Sequence, residues 1–158
     1  MAQVFIALGT NLGDRQANLT AAREMLAGKI RVEQASAIYE TQPWGYLDQP
    51  VFLNQVLRAR TELSPLRVLN YLKRIEQQMG RQENFRYGPR LIDLDILAYD
   101  QLVMQTNRLT LPHPRLAERA FMLIPLAEVA PEWVHPVLGK TAAQLAAALG
   151  DFESVHRW

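Results

Sequence analysis

Two acids set two residues apart in an apolar run are the feature of this chain best suited to chemistry. Leu91-Ile92-Asp93-Leu94-Asp95-Ile96-Leu97 reads as a strand. Side chains in a strand alternate faces, so Asp93 and Asp95 point one way while Ile92, Leu94 and Ile96 point into a core. Two like charges side by side repel unless something positive lies between them. A divalent cation meets that need. Mg²⁺ prefers carboxylate oxygens, keeps several waters and completes its shell on substrate phosphates. Taken alone, Asp-x-Asp favours a blander reading, a solvated pair on an exposed sheet face. The flanks change this. Arg86 and Arg90 stand just upstream across Gly88-Pro89, with Arg81 before them, and the planar, always-charged guanidinium matches phosphate oxygens. Acids for a metal and guanidiniums for phosphate are the components of phosphoryl transfer. Neither G-x-x-x-x-G-K-[ST] nor G-x-G-x-x-G occurs, so a nucleotide here would be held by side chains and metal.

Arg108, His113, Arg115 and Arg119 form a second basic region. His113 lies between two prolines, where a loop-structural role is the plain alternative, but its arginine neighbours favour an anionic pocket. Phe52, Asn54, Val56 and Arg58 fall on one face of a strand over 51–63. Phe52 and Phe121 taken alone read as core, as most phenylalanines do, and Asn54 beside Phe52 allows an aromatic site with a polar edge.

The elements that must position these groups are legible by pattern. Residues 4–9 read as a buried strand. Asp14 to about Ala27 reads as a helix on Leu19, Ala22, Met25 and Leu26, with Gly28 as its stop. A strand is expected over 30–41, an aromatic Pro/Gly loop over 42–50 and the strand over 51–63. Ser64-Pro65 opens a helix with a stripe of Leu66, Leu69, Leu72, Ile75 and Met79, ending at Gly80. Only Lys73 and Glu76, off that stripe, are placed to touch a nucleotide. The 91–99 strand follows, then a hairpin turn at Asp100-Gln101 and a strand near 102–104. Helix is expected after Pro114 and again in the alanine-rich tail. Strands joined by loops rather than by regular βα repeats argue for α+β, a mostly antiparallel sheet with helices on one or both faces. No linker or repeat divides residues 1–158, so one domain is expected.

Composition narrows the function classes. Of 158 residues 49% are hydrophobic, none is cysteine, and the formal net charge is +1. That excludes thiolate metal sites, disulfides and a cysteine nucleophile, and it lacks the strongly basic footprint of a general nucleic-acid binder. No signal peptide or membrane span is read, and a cytoplasmic location is expected. Two rivals stand beside phosphoryl transfer. A metal-dependent phosphodiesterase or nuclease also uses paired acids and arginines, but needs no aromatic sandwich. A ferredoxin-like nucleic-acid module would stack bases on its sheet, yet Asp93 and Asp95 there would repel phosphates.

Arg86-Tyr87-Gly88-Pro89-Arg90-Leu91-Ile92-Asp93-Leu94-Asp95-Ile96-Leu97 resembles the signature of the 6-hydroxymethyl-7,8-dihydropterin pyrophosphokinase family of folate biosynthesis. "ALGTNLGD", "FLNQV" and "LTLPHPRLAERAFML" extend the resemblance over essentially the whole chain. The resemblance implies a ferredoxin-like α+β fold. It implies transfer of the β,γ-pyrophosphoryl group of ATP to the hydroxymethyl group of the pterin, with AMP released and two Mg²⁺ ions used, by a monomer. Asp93 and Asp95 would hold both metals, with Arg81, Arg86 and Arg90 as catalytic guanidiniums. Arg90 and His113 would contact the ATP phosphates, with Arg119 nearby, and Glu76, Tyr87, Ile96, Arg108 and Thr110 would lie around the nucleotide. Phe52 and Phe121 would sandwich the pterin, Asn54 would bond its polar edge, and Thr41, Pro43 and Trp44 would complete its pocket. The chain departs from the family at Glu83, where an arginine is usual, and at Tyr87, where a tryptophan is usual. Slower turnover, or more load on Arg81 and Arg86, is the expected consequence.

Overall fold

The computed structural model describes residues 1–42, 48–80, 91–150, 152 and 154–158. The core unit is β1 (Ala2–Thr10), α1 (Arg15–Leu26), β2 (Ile30–Ala35) and β3 (Tyr39–Thr41), β4 (Phe52–Thr61), α2 (Pro65–Gln78) and β5 (Asp93–Tyr99). The sheet runs β5-β1-β4-β3, and β2 also pairs with β4, every ladder being antiparallel. Counting β2 and β3 as one broken strand gives β-α-β-β-α-β with each helix crossing over a neighbouring strand, the split βαβ arrangement of ferredoxin-like folds. The expected 30–41 strand is therefore interrupted over 36–38, where Ser36 turns inward: its hydroxyl accepts the Val56 N–H at 2.9 Å and donates to the Ala37 carbonyl at 2.8 Å.

β1 lies in the middle and is buried on both faces. Val4, Ile6 and Leu8 join Leu53, Leu57, Leu19, Leu26, Leu72 and Ile75 under α1 and α2. Each such side chain contributes about 1.5–3 kcal/mol on burial. On the other face Phe5, Val56, Leu97 and Ala98 meet α3 (Ala120–Val129) and α4 (Ala142–Leu149). The helices thus cover both faces.

Local chemistry fixes the helix ends. Asp14 caps α1 by accepting the Ala17 N–H at 3.1 Å. Thr141 and Gln144 form a reciprocal capping box on α4, and left-handed Gly150 closes it. Gly28 is not glycine for a left-handed turn. A Cβ there would stand 2.9 Å from the Tyr71 hydroxyl, which donates to the Met25 carbonyl at the end of α1. In α2 the buried set is Val68, Leu72, Ile75 and Glu76, while Leu66 is exposed. Leu72 and Ile75 are shared with the expected stripe, Val68 and Glu76 join them, and Leu69 and Met79 are only partly buried against the core.

The Asp100 turn forms, but the next strand does not return along β5. β6 (Met104–Gln105) pairs instead with β7 (Thr110–Leu111) as a separate ribbon. A short 3₁₀ turn (Leu116–Glu118) leads into α3, and β8 (Val155–Arg157), which no sequence pattern announced, pairs with β3 at the sheet edge.

Candidate active site

Register brings the chemistry together on the α3 side of the sheet. Asp93 on β5 is opposite Gly9 on β1, Gly9 is opposite Asn54 on β4, and Asn54 is opposite Tyr39 on β3. One row further along, Asp95, Ala7 and Val56 face one another. Beside Asn54, Thr41 is opposite Phe52. Opposed residues share a face, so the acid pair and the Phe52/Asn54 pair flank the same stretch of β1. Two strand spacings separate them, about 10 Å. The floor between them is Gly9 and Ala7.

Gly9 is the residue that pattern reading passed over. Its φ is not left-handed. A Cβ there would come within 3.2 Å of the Asn54 amide oxygen and 3.7 Å of the Phe52 ring. A side chain here would crowd the Asn54 amide rather than strain the backbone, and only the register reveals this. Asn54 is buried and donates from Nδ2 to the Thr41 hydroxyl at 2.6 Å, so its amide is fixed before any ligand arrives.

β5 is the edge strand, and its open side is met by two contacts. The carboxylate of Glu76, 3% exposed, accepts the Leu94 N–H at 3.0 Å, and Lys73 stands 3.9 Å from its other oxygen. Leu94 lies between the two acids, so Glu76 holds the backbone that aims them. The His113 N–H donates to the Leu97 carbonyl at 2.8 Å, which ties the basic segment to the same strand just beyond a cis Leu111–Pro112 bond.

His113 is held neutral. Burial, reinforced by the Arg119 and Arg115 guanidiniums, pushes its pKa down to about 4. Its Nδ1 accepts the Arg115 N–H at 3.1 Å, which leaves the proton on Nε2. The group is an uncharged donor aimed away from its own loop. Arg119 occupies the N-cap position of α3 without a side-chain capping bond, and its guanidinium lies 5.7 Å from the Phe121 ring centroid, within cation–π range.

The remaining expected residues divide. Ile96 points to the α1/α2 core, 4% exposed, on the opposite face from Asp93 and Asp95. Arg108 donates to the Asn70 side chain on α2, and Thr110 lies on β7 between the core residues Leu109 and Leu111. Glu76, Ile96, Arg108 and Thr110 therefore lie on the α2 side of β5, while Asp93 and Asp95 lie on its α3 face. Pro43, Trp44, Arg81, Glu83, Arg86, Tyr87 and Arg90 are outside the described residues.

Among the described residues no three His, Asp or Glu side chains converge as a closed metal cage. Two carboxylates on an open face fit Mg²⁺, and they do not fit a structural transition-metal site. A hollow of about 680 Å³ opens at the far end of β1, near Met1, Arg23, Lys29, Arg31 and Arg60. Two of its guanidiniums pair with Glu33, and it holds none of the site residues.

Residues 5–131 match the family model described as 7,8-dihydro-6-hydroxymethylpterin-pyrophosphokinase. The Aquifex aeolicus 2-amino-4-hydroxy-6-hydroxymethyldihydropteridine pyrophosphokinase is 43% identical over 140 residues, 89% of this chain and 88% of that protein. A protein of the same name from Methylorubrum extorquens is 44% identical over 151 residues, 94% of each chain. Among solved structures, wild-type Plasmodium falciparum HPPK-DHPS with pteroate superposes with a TM-score of 0.78 at 18% identity. It covers 99% of this chain, which spans 45% of that longer one, and at that identity the likeness speaks for the fold alone. On the family match and the two bacterial relatives, the chain belongs to the 7,8-dihydro-6-hydroxymethylpterin-pyrophosphokinase family.

Proposed function

We propose that the chain carries out its family's reaction across the strand β1, with the acid pair on one side and the aromatic–amide pair on the other. The chain is a pyrophosphokinase of folate synthesis. Its substrates in this reading are ATP and 6-hydroxymethyl-7,8-dihydropterin. The hydroxymethyl oxygen forms a bond to the β-phosphorus of ATP, the bond from that phosphorus to the AMP oxygen breaks, and the hydroxyl proton passes to solvent. The observation that carries the reading is the row Asp93–Gly9–Asn54, which sets phosphate chemistry and heterocycle recognition two strands apart over a floor that has no side chain at Gly9.

Asp93 and Asp95 would hold two Mg²⁺ ions, which when bound supply charge neutralisation for the triphosphate and the attacking oxygen. The resemblance assigns Arg81, Arg86 and Arg90 to the phosphates, where their guanidiniums would meet phosphate oxygens. Neutral His113 donates from Nε2 to a phosphate oxygen, and Arg119 adds positive charge beside it. The nucleotide passes around the edge of β5, from the acids on one face to Glu76, Ile96, Arg108 and Thr110 on the other. The resemblance assigns Tyr87 to the nucleotide as well. The pterin ring lies between Phe52 and Phe121, where offset stacking favours a flat heterocycle. Asn54, prefixed by Thr41, meets a donor and an acceptor on its edge, and Pro43 and Trp44 close the pocket. The working form in this reading is a single-domain cytoplasmic monomer that binds neither nucleic acid nor membrane. Among the described residues no helix is long and apolar enough to cross a membrane.

The test is direct. With ATP, Mg²⁺ and the reduced hydroxymethylpterin, AMP must form in step with pterin diphosphate. ADP as the product would mean ordinary kinase chemistry. AMP release that ignores the pterin would favour a phosphodiesterase.

A further inference from the structure

We propose that Glu128 is a positioning residue that sets the width of the heterocycle slot by clamping α3 onto β3. The proposal rests on the pterin reading of that slot. One wall is the sheet, Phe52 and Asn54 on β4. The other is Phe121 at the start of α3. Nothing in the chain's covalent order fixes the gap between these walls, so side chains must.

Glu128 lies near the far end of α3 and bridges back to the sheet with both carboxylate oxygens. Oε2 accepts the Ala37 N–H at 2.7 Å. Oε1 accepts the Tyr39 hydroxyl and also meets the Arg157 guanidinium of β8 at 3.3 Å. Burial raises the Tyr39 pKa, and the bond to Glu128 raises it further, so the phenol stays a donor. Tyr39 is opposite Asn54, and two residues along the same strand Thr41 holds the Asn54 amide. Tyr39 also packs in one apolar cluster with Ala120, Phe121 and Ile124 of α3. One carboxylate therefore touches the strand that orients Asn54 and the helix that carries Phe121. Arg157 is 70% exposed, and a pair so open to water adds little. The clamp is carried by the Tyr39 hydroxyl and the Ala37 N–H.

The experiment compares Tyr39→Phe, Glu128→Gln, their combination and Arg157→Ala in steady-state kinetics, with equilibrium binding of the pterin to the ATP-analogue complex. Tyr39→Phe and Glu128→Gln should each raise the pterin KM about fivefold to tenfold, the effect of losing one charge-assisted bond. The MgATP KM and kcat should stay within about twofold, since neither residue adjoins the acids. The double variant should be no worse than Glu128→Gln alone, because that change already alters the Tyr39 contact together with the one to Ala37. Arg157→Ala should leave the pterin KM unchanged. Unshifted pterin KM in both single variants overturns the clamp, as does a lowered Tm with pterin and ATP affected alike. An Arg157→Ala effect as large as that of Tyr39→Phe overturns it too. A wild-type protein that makes no AMP removes the slot's assignment itself. A normal wild type with indifferent variants removes only the clamp.

Discussion

Asp93 and Asp95 differ from Asn54 and Phe52 in what their loss should do, although all four share one face of the sheet. Replacing either acid by asparagine keeps its shape and removes charge that matters most as the phosphoryl group moves. The expected result is a fall in kcat of about 10³ or more with pterin affinity nearly unchanged, read from single-turnover rates beside equilibrium binding. Near-normal turnover with Mg²⁺ would refute the metal-ligand role. Gly9→Ala should do the reverse. The new methyl presses on the Asn54 amide oxygen at 3.2 Å, so that amide must shift by a few tenths of an ångström. Pterin affinity should fall about tenfold while MgATP affinity holds. Since Gly9 is not left-handed, alanine costs no backbone strain there, and its smaller unfolded-state entropy is worth about 0.4–1 kcal/mol. A variant with unchanged or raised Tm and weaker pterin binding separates a site effect from a folding defect. Unchanged pterin binding would show that the floor tolerates a methyl group.

At the scale of the element, β5 shows how an edge strand can carry reactive groups without fraying. The N–H of Leu94, between the two acids, goes to a buried carboxylate on α2 rather than to water. Glu76→Ala should cost about 1.5–3 kcal/mol, the worth of a hydrogen bond to a charged group. Glu76→Gln, which keeps an acceptor, should cost less, and urea denaturation separates the two. Equal losses would mean that the contact to Leu94 is not what Glu76 supplies. The strand and its outward acids were legible in the alternation of 91–97, as were the helix starts at Asp14 and Ser64. What sequence could not show was anything needing a partner strand. Gly9 looks like the end of an apolar run until register sets it between Asp93 and Asn54. Ile96 is a different case: the alternation that turns Asp93 and Asp95 outward already sets it on the opposite face, and its place beside the nucleotide comes from the resemblance alone. Glu76 reads as a polar residue off the α2 stripe, placed to touch a nucleotide; that it is buried and bonded to the Leu94 N–H needed the fold. β6 was joined to the wrong neighbour because a turn at Asp100 does not say which strand lies beyond it. β8, three residues long, is too short for a periodic signal.

Across the whole molecule, helices cover both faces of the sheet, and two histidines tie the outer loops to this frame. Both are held neutral in the folded chain. His113 sits at about 4, by burial and by Arg119 and Arg115. His135 is lowered by burial, its Nδ1 accepting the Val137 and Leu138 N–H groups at 3.2 and 3.1 Å. In the unfolded chain each binds a proton near pH 6.5. Below that pH the unfolded state takes up protons that the folded state refuses. Stability is therefore complete above about pH 6.5 and declines as the pH falls towards 4. Glu132, whose carboxyl is lowered chiefly by its own backbone N–H and by Arg58, acts only below the ordinary carboxylate range, so the upper part of this window belongs to the histidines. Asparagine keeps an acceptor in place of Nδ1 and does not titrate. Calorimetry of a His113→Asn/His135→Asn chain between pH 7.5 and 4.5 should show a lower Tm at neutral pH but a flatter decline than the wild type. A double variant that retains the full wild-type slope would place the acid sensitivity elsewhere.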